Sequence, residues 1–255
     1  MINLKGEKNI KVMLEGGKIL GQMLQELGNF VKPGITTNDV DKLAKELVFS
    51  FAKKYPKAKI QPAFLGYNGF PAHICISVND EVVHGIPSEK VLNEGDVVGL
   101  DFGITYYGWN LDSAITVGVG KISRQAQKLL EATKKALEIG IDMARAGNKL
   151  GDLGFSIQKF LESNDFAVVR DLVGHGIGEK LHEDPYVPNY GEPGEGEVLK
   201  EGMVIAIEPM ATLGDWHVAL DKDGWTWRTK DKSIAAHFEH TVAITKDGPL
   251  VLTSH

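Results

Sequence analysis

Cysteine is almost absent from the chain, since Cys75 is the only one among 255 residues. A single thiol cannot form an intramolecular disulfide, and it cannot build a zinc site from several cysteines. Long apolar runs are also missing, because no window approaches the roughly 18 uncharged apolar residues that a membrane-spanning helix needs. The first residues lack the apolar core and cleavage site of a secretory signal. We therefore expect a cytoplasmic protein without a membrane segment.

Positive charge is not in excess either. Lys and Arg number 28 and Asp and Glu 34, which gives a formal net charge of −6. Nucleic-acid-binding proteins usually carry a basic excess, so we expect no specific nucleic-acid partner. The chain is 43% hydrophobic, which is too apolar for a disordered protein. It contains no low-complexity tract and no linker, and we expect one domain over residues 1–255.

Helical and strand patterns alternate along the chain. Apolar residues recur at helical spacing over 7–28, and a second helix is expected after a cap at Thr37 or Asn38. Further helices are predicted from Ser123 onward and over 152–162. Short apolar runs predict strands at 74–78, 97–100, 114–117, 167–169, 203–207 and 241–244. The stretch 185–202 is rich in Pro, Gly and Glu and predicts a surface loop.

The order of two helices followed by strands occurs twice. Residues 92–101 match residues 199–208 at Leu, Glu, Gly, Val and an aliphatic position, and each segment ends in an acid. This favours two pseudo-symmetric halves of an α/β protein, about 5–120 and 121–250, with helices packed on strands. The two terminal acids would then face one another near the axis that relates the halves. Chance similarity between short strand-and-turn segments is the alternative.

Four acids stand at positions where a strand pattern predicts burial. A hairpin centred on 106/107 would place Asp101 directly opposite Asp112, and two adjacent carboxylates need either a proton or cations between them. Glu208 ends one apolar strand, and Glu239 begins another. A buried Glu is rare unless it is paired or coordinated. The alternative for each acid is an exposed position at a strand end.

Three histidines lie at glycine-rich or strand-to-loop positions. His175 stands in Gly-His-Gly-Ile-Gly, a segment too rich in glycine for a helix interior. His182 and His84 each stand in a His-x-x-Pro segment. A single histidine of this kind is more often structural than functional. The remaining histidines are expected to be structural or on the surface: His73, His217, His237, His240 and His255.

Four carboxylates and one imidazole form an oxygen-rich donor set without thiolate. Such a set suits Mn²⁺, Fe²⁺, Co²⁺ or Zn²⁺ in a catalytic rather than a structural site. Four acids carry enough charge for two divalent ions, and a pair of ions can activate a shared water for hydrolysis. The sequence therefore predicts a hydrolase with a dinuclear metal site whose ions it does not identify.

Taken together, these motifs resemble those of the type I methionine aminopeptidases over roughly residues 5–250. The resemblance implies the duplicated pita-bread α/β fold and removal of the initiator Met from nascent proteins with a small second residue. It implies that Asp101 binds one metal ion and that His175 and Glu208 bind the other. Asp112 and Glu239 would bridge both ions.

The same resemblance implies roles in substrate binding and catalysis. Glu208 would help to move the proton of the attacking water, His182 would bond the scissile carbonyl, and His84 would contact the scissile nitrogen or the leaving amine. The methionine pocket would be apolar, with aromatic rings and sulfur near the thioether. Its predicted lining is Phe64, Tyr67, Phe70, Cys75, Leu181 and Trp225. Phe64 and Leu181 depart from the usual residues of the family, which carry Cys and an aromatic ring there.

Other functions remain open at this point. A proline-specific aminopeptidase or prolidase would share the five metal ligands, and a non-enzymatic binding module could be built on the same fold. A metal-buffering protein would not need His84 and His182. The expected partners are nascent polypeptide N-termini, and ribosome docking would suit that substrate. No further apolar stripe is evident, so we expect a monomer.

Overall fold

The computed structural model describes residues 2–254, which form four helices and fifteen strands. The helices are α1 (Glu7–Phe30), α2 (Thr37–Lys54), α3 (Arg124–Met143) and α4 (Leu150–Glu162). The first strands are β1 (Gln61–Pro62), β2 (Cys75–Val78), β3 (Glu81–Val83), β4 (Val97–Tyr106), β5 (Trp109–Gly118), β6 (Ala167–Val168), β7 (Gly174–Gly176) and β8 (Glu183–Val187). They are followed by β9 (Val204–Ile207), β10 (Met210–Thr212), β11 (Val218–Leu220), β12 (Trp227–Thr229), β13 (Ala235–His237), β14 (Glu239–Thr245) and β15 (Gly248–Val251). Among the described residues, no helix is long and apolar enough to cross a membrane.

The helix starts follow from local capping. The predicted cap at Thr37 or Asn38 is wrong by one or two residues, because Thr36 caps α2 and accepts a hydrogen bond from the Asp39 amide. Asp39 in turn accepts from the Thr36 amide, which completes a capping box. Ser123 caps α3 as expected, since its hydroxyl accepts from the Ala126 amide.

A nine-stranded antiparallel sheet forms the centre of the molecule. Its strands follow the order β1-β4-β5-β14-β9-β7-β8, with β2 paired to β4 and β15 paired to β14. Helix α1 packs on β4 and β5, and α3 packs on α4. A side chain at Gly17 of α1 would collide with the backbone of Leu252, so glycine permits this close approach. The expected architecture of helices packed on antiparallel strands is confirmed.

The β4–β5 hairpin differs in register from the prediction. Tyr107 and Gly108 both have positive φ, as a two-residue type I′ turn requires, so the turn is centred one residue later than expected. Asp101 therefore pairs with Ala114, and Asp112 pairs with Gly103. The two acids are diagonal neighbours on one face of the sheet rather than directly opposed.

The segment 185–202 is only partly the surface loop that its composition predicts. Residues 185–187 belong to strand β8, which pairs with β7. Asn189 is fully buried, and its amide Nδ2 donates to the carbonyl of Glu208 at 2.9 Å. Part of this segment therefore supports the backbone beside a predicted site residue.

The aligned segments of the two halves make the same backbone hydrogen bonds. In each half, the amide of a glycine that precedes a helix donates to the carbonyl of the leucine that begins the aligned segment. In both halves, a glycine within the aligned segment also donates, either to the residue that follows strand β5 or to a residue of strand β14. The four bonds are Gly34 to Leu92 (2.8 Å), Gly147 to Leu199 (2.9 Å), Gly95 to Val119 (2.9 Å) and Gly202 to Ile244 (2.9 Å).

Candidate metal centre and adjoining pocket

Three of the predicted metal ligands lie on the central strands of the sheet. Asp101 is on β4, Asp112 is on β5 and Glu239 begins β14, and all three are buried. Strand β14 pairs with β5 so that Glu239 lies opposite Ala114, the residue that also pairs with Asp101. The sheet thus brings three acids from distant parts of the sequence to one place.

His175 and Glu208 approach the same place from neighbouring strands. His175 lies on β7, Glu208 directly follows β9, and His175 Nε2 is 3.7 Å from Glu208 Oε1. Asp112, His175 and Glu239 offer ligand atoms that all lie within 4.8 Å of one another. Asp101 and Glu208 line the same cavity as these three residues. All five predicted ligands therefore meet at one site.

One oxygen atom of each of three buried carboxyl groups lacks a hydrogen-bond partner. Within residues 2–254, Asp101 Oδ1, Asp112 Oδ1 and Glu239 Oε1 are buried and have no hydrogen-bond partner. Buried polar atoms are normally satisfied by a donor or an ion. A divalent cation would supply the missing partner for these oxygens, so the residues present fit a metal ion.

Burial also disfavours the charged form of each acid. It raises the pKa of Asp112 to about 7, although a hydrogen bond with Asp101 opposes the increase. It raises the pKa of Asp101 and of Glu239 well above the ordinary value, and the Asp112 carboxylate adds to both increases. Burial and the Asp112 carboxylate also raise the pKa of Glu208 well above its ordinary value. These acids share a dry environment in which negative charge needs a positive partner.

His175 has the protonation state of a metal ligand. Burial lowers the pKa of His175 to about 3, and the neighbouring His182 contributes to the decrease. The imidazole is therefore neutral at pH 7. Its Nδ1 lies 2.9 Å from the Gly176 carbonyl. Only an N–H can bond a carbonyl oxygen, so Nδ1 carries the proton. The lone pair of Nε2 is then directed to the carboxylates.

His84 and His182 stand at the edge of this cluster. His84 adopts a left-handed conformation with φ of 58°, which is strained for a residue other than glycine. Burial lowers its pKa to about 4. The Nδ1 atom of His182 lies 2.7 Å from the Tyr67 hydroxyl, and its ring packs edge-on against His175 with centroids 4.2 Å apart. Burial also lowers the pKa of His182.

An apolar cavity of about 200 Å³ opens directly on the cluster. Phe70 and Trp225 meet edge to face at 5.2 Å on its wall. Burial raises the pKa of Cys75 well above the ordinary value, and nearby Asp101 adds to the increase, so the thiol stays uncharged. The structure places every predicted pocket residue on this cavity: Phe64, Tyr67, Phe70, Cys75, Leu181 and Trp225.

A larger groove of about 740 Å³ adjoins the cavity. Both the groove and the cavity are lined by His84, His175, His182 and Glu208, and the groove continues toward the surface past Tyr186. Asn3 from the N-terminal segment also lines it. A chain that entered the small cavity at one end could therefore extend along the groove past the cluster.

Sequence reasoning missed two residues of the site. His237, expected to be structural or on the surface, is buried, and its Nε2 lies 3.6 Å from Glu208 Oε2. It precedes Glu239 by two residues, a strand spacing that could have indicated a shared face. Asn68 lines the cavity from a turn in which its φ is 48°, and no sequence pattern marked it.

The other histidines predicted to be structural or on the surface have partners outside the five predicted ligands. His73 pairs with Asp41, and His217 pairs with Asp215. His240 Nδ1 lies 3.0 Å from the Thr253 hydroxyl. His255 is outside the described residues.

Comparison with known proteins agrees with this geometry. The model of metallopeptidase family M24 matches residues 11–246. The chain belongs to this family. It is 48% identical to the methionine aminopeptidase of Clostridium acetobutylicum, with 99% of each chain covered. The crystal structure of methionine aminopeptidase from Thermotoga maritima superposes with a TM-score of 0.94 at 45% identity, and both chains are covered completely.

A more distant solved structure shows a similarity of fold. The prolidase from Pyrococcus furiosus matches with a TM-score of 0.75 at 24% identity, over 99% of this chain and 65% of that one. The M24 chain thus has the predicted pita-bread fold. It is a metal-dependent peptidase, and Asp112, His175 and Glu239 could hold a divalent ion.

Proposed function

We propose that the chain is a methionine aminopeptidase that removes the initiator Met from nascent polypeptides with a small second residue. The observation that carries this proposal is the apolar cavity, lined by Phe70 and Trp225, that opens on the five predicted metal ligands. An unbranched thioether side chain suits a pocket lined by aromatic rings and a thiol. The full-length relatives of the same name support the assignment.

The proposed metal centre holds two divalent ions. Asp101 would bind one ion, His175 and Glu208 the other, and Asp112 and Glu239 would lie between them. Four carboxylates can balance two divalent charges, and the donor set suits Mn²⁺, Fe²⁺, Co²⁺ or Zn²⁺. When bound, such a pair supplies an activated water at neutral pH and polarises the scissile carbonyl.

Glu208 is proposed to accept the proton of the attacking water. Its carboxylate lies between two imidazoles, with His175 at 3.7 Å and His237 at 3.6 Å. Burial lowers the pKa of both histidines to about 3, so both rings are neutral. Glu208 lines the same cavity as the other predicted ligands, where a proton released by the attacking water would lie within its reach.

Two histidines are proposed to act on the peptide bond. The Tyr67 hydroxyl lies 2.7 Å from Nδ1 of His182. In the tautomer that accepts this hydroxyl proton, Nε2 carries the ring proton and would donate to the scissile carbonyl oxygen as charge develops there. His84 would contact the scissile nitrogen and assist departure of the amine. Its strained backbone fits a residue held in position for chemistry.

The proposal extends to the organisation and setting of the chain. We propose one catalytic domain over residues 1–255 with duplicated halves of about 5–120 and 121–250, which the matched backbone hydrogen bonds support. Newly made proteins are the substrate, so we place the chain in the cytoplasm as a monomer, and docking on ribosomes suits this substrate. A net charge of −6 supports the absence of a specific nucleic-acid partner.

A metal add-back assay with two peptides tests the proposed activity. The protein is stripped of metal, and Mn²⁺, Fe²⁺, Co²⁺ or Zn²⁺ is returned separately. Methionine released from Met-Gly-X, with Ala-Pro-X left intact, is the expected result and also ranks the ions. Cleavage of Ala-Pro-X alone would identify a proline-specific peptidase. Metal-bound, folded protein that cleaves neither peptide would favour a binding module.

A further inference from the structure

A lysine near the N-terminus is buried beside the metal centre. The side chain of Lys5 is 2% exposed, and its Nζ donates to Glu183 Oε2 at 2.6 Å and to the Asn3 carbonyl at 3.0 Å. The Glu183 side chain is 10% exposed. Lysine is almost never fully buried unless it is paired. This buried ion pair therefore attaches the N-terminal segment to residue 183.

Glu183 closes a turn with its other oxygen. Glu183 Oε1 accepts the Lys180 amide at 3.0 Å, and the Gly178 amide donates to the Lys180 carbonyl at 3.0 Å. A Cβ at Gly178 would lie 2.5 Å from Lys5 Cε and 2.8 Å from Glu183 Oε1. Glycine at 178 thus leaves room for the ion pair, which gives the last glycine of Gly-His-Gly-Ile-Gly a packing role.

The opposite side of the turn is held by Asn110 of β5. The Asn110 amide Nδ2 donates to the carbonyls of Gly178 and Glu179, both at 3.0 Å, and its backbone N–H donates to Gly178 at 2.7 Å. The turn is therefore clamped between the central hairpin and the N-terminal segment. That segment is itself anchored, since the Lys5 amide donates to the Gly202 carbonyl at 2.7 Å.

The clamped turn carries two residues that face the substrate cavity. Leu181 and His182 both line it, and they lie between Lys180 and Glu183, the two ends of the closing hydrogen bond. Tyr67 fixes the His182 ring but does not hold the backbone of the turn. The two ends of the turn are held by the β7–β8 pairing of Gly176 with Glu183. Between these ends, Asn110 holds the turn on one side and the Lys5–Glu183 pair holds it on the other.

We propose that Lys5 is a positioning residue, which acts through Glu183 to hold Leu181 and His182 in place against the metal centre. The inference rests on the proposed function for the part that His182 plays, whereas the clamp itself rests on the contacts alone. Displacement of a group that acts in the transition state by about 1 Å can cost about 100-fold in rate. The loss is expected in kcat, since His182 acts as charge develops.

The test compares Lys5→Met with Lys8→Met in the metal-loaded, full-length protein. Lys8 is an exposed lysine of α1 and serves as the matched control. Hydrogen exchange is measured at the amides of residues 178–183, and kcat and KM are measured with Met-Gly-Met. We expect K5M to lose protection at Lys180 and to lose about 10- to 100-fold in kcat, with Mn²⁺ affinity unchanged. K8M should match the parent.

The double variant K5M/E183Q separates positioning from stability. Each single variant leaves one partner of the ion pair unpaired in a buried place, whereas the double variant removes both charges. We expect its melting temperature to exceed those of both single variants while kcat stays low. Recovery of kcat together with the melting temperature would overturn the proposal, as would unchanged exchange at residues 178–183 in K5M. A parent protein without methionine-releasing activity would instead refute the proposed function, and the exchange data would still decide the clamp.

Discussion

Removal of the metal should make the stability of the protein depend on pH in a specific direction. Burial raises the pKa of Asp101, Asp112, Glu208 and Glu239 in the folded chain. The unfolded chain releases these protons near pH 4. Above about pH 6.5 the histidines are neutral in both states, so the folded state binds more protons than the unfolded state. The metal-free protein must then lose stability as pH rises toward the folded-state pKa values.

Histidines offset this dependence at lower pH. Burial lowers the pKa of His84 to about 4 and of His175 and His237 to about 3. Below about pH 6.5 the unfolded chain gains protons on these residues and the folded chain does not. Histidines whose pKa is lowered in the folded chain thus contribute stability that is lost as pH falls. The four acids and the lowered histidines nearly cancel between about pH 4.5 and 6.5, so the stability of the metal-free protein should change little there and should fall above about pH 6.5.

The size of the effect follows from Asp112. A change from 3.8 to about 7 in the pKa of Asp112, at about 1.4 kcal/mol per pH unit, costs about 4 kcal/mol at pH 8. For a chain of this length, 1 kcal/mol corresponds to about 2–4 °C in Tm. Asp112→Asn should therefore raise the Tm of the metal-free protein at pH 8 by up to about 16 °C. A bound divalent cation replaces the proton, so Mn²⁺ should raise the Tm of the parent more at pH 8 than at pH 6.5.

Calorimetry in a chelating buffer measures this directly. The parent, Asp112→Asn and Asp142→Asn are melted at several pH values, with and without Mn²⁺. Asp142 is exposed on α3 and serves as the control. A metal-free parent whose Tm rises from about pH 6.5 to about pH 8 would refute the reasoning, because the raised pKa values require a fall. An equal gain in D142N would show that general charge reduction, not burial, is responsible.

Two further variants test the histidines beside the metal centre. His84→Ala should keep its Mn²⁺, measured by metal analysis, and lose at least about 100-fold in kcat, since general acid–base catalysis contributes about 100- to 10,000-fold. Wild-type activity in the metal-replete variant would remove His84 from the mechanism. Tyr67→Phe deletes the hydroxyl that orients His182, a hydrogen bond worth about 0.5–1.5 kcal/mol, and should lower kcat/KM about two- to tenfold. Unchanged steady-state kinetics would show that the hydroxyl does not orient the ring.

The sequence predicted most of the secondary structure because the local signals were strong. Apolar periodicity located α1 and α3, and Ser123 marked the start of α3. Acids that end or begin apolar strands, such as Glu208 and Glu239, stood out because burial of a charge demands a reason. The structure brings these acids and His175 together at one site.

Other features depended on geometry that the sequence does not express locally. The hairpin register depended on which two residues of Tyr106-Tyr107-Gly108 form the turn, and a shift by one residue changed the partner of every strand position. His237 was expected to be structural or on the surface, and its spacing from Glu239 does not reveal the contact with Glu208, which lies 29 positions earlier in the sequence. The Lys5–Glu183 pair joins residues 178 positions apart, so no local pattern could predict it.

The most direct test of the account is the rate of methionine release from Met-Gly-Met by the metal-loaded protein and by its Glu208→Gln variant. The variant removes the carboxylate that takes the proton and leaves a side chain of the same shape. Both proteins are first analysed for bound Mn²⁺. Methionine-specific, metal-dependent release that is nearly abolished in E208Q is the predicted result. An E208Q protein that carries as much metal as the parent and releases methionine equally fast would contradict the account.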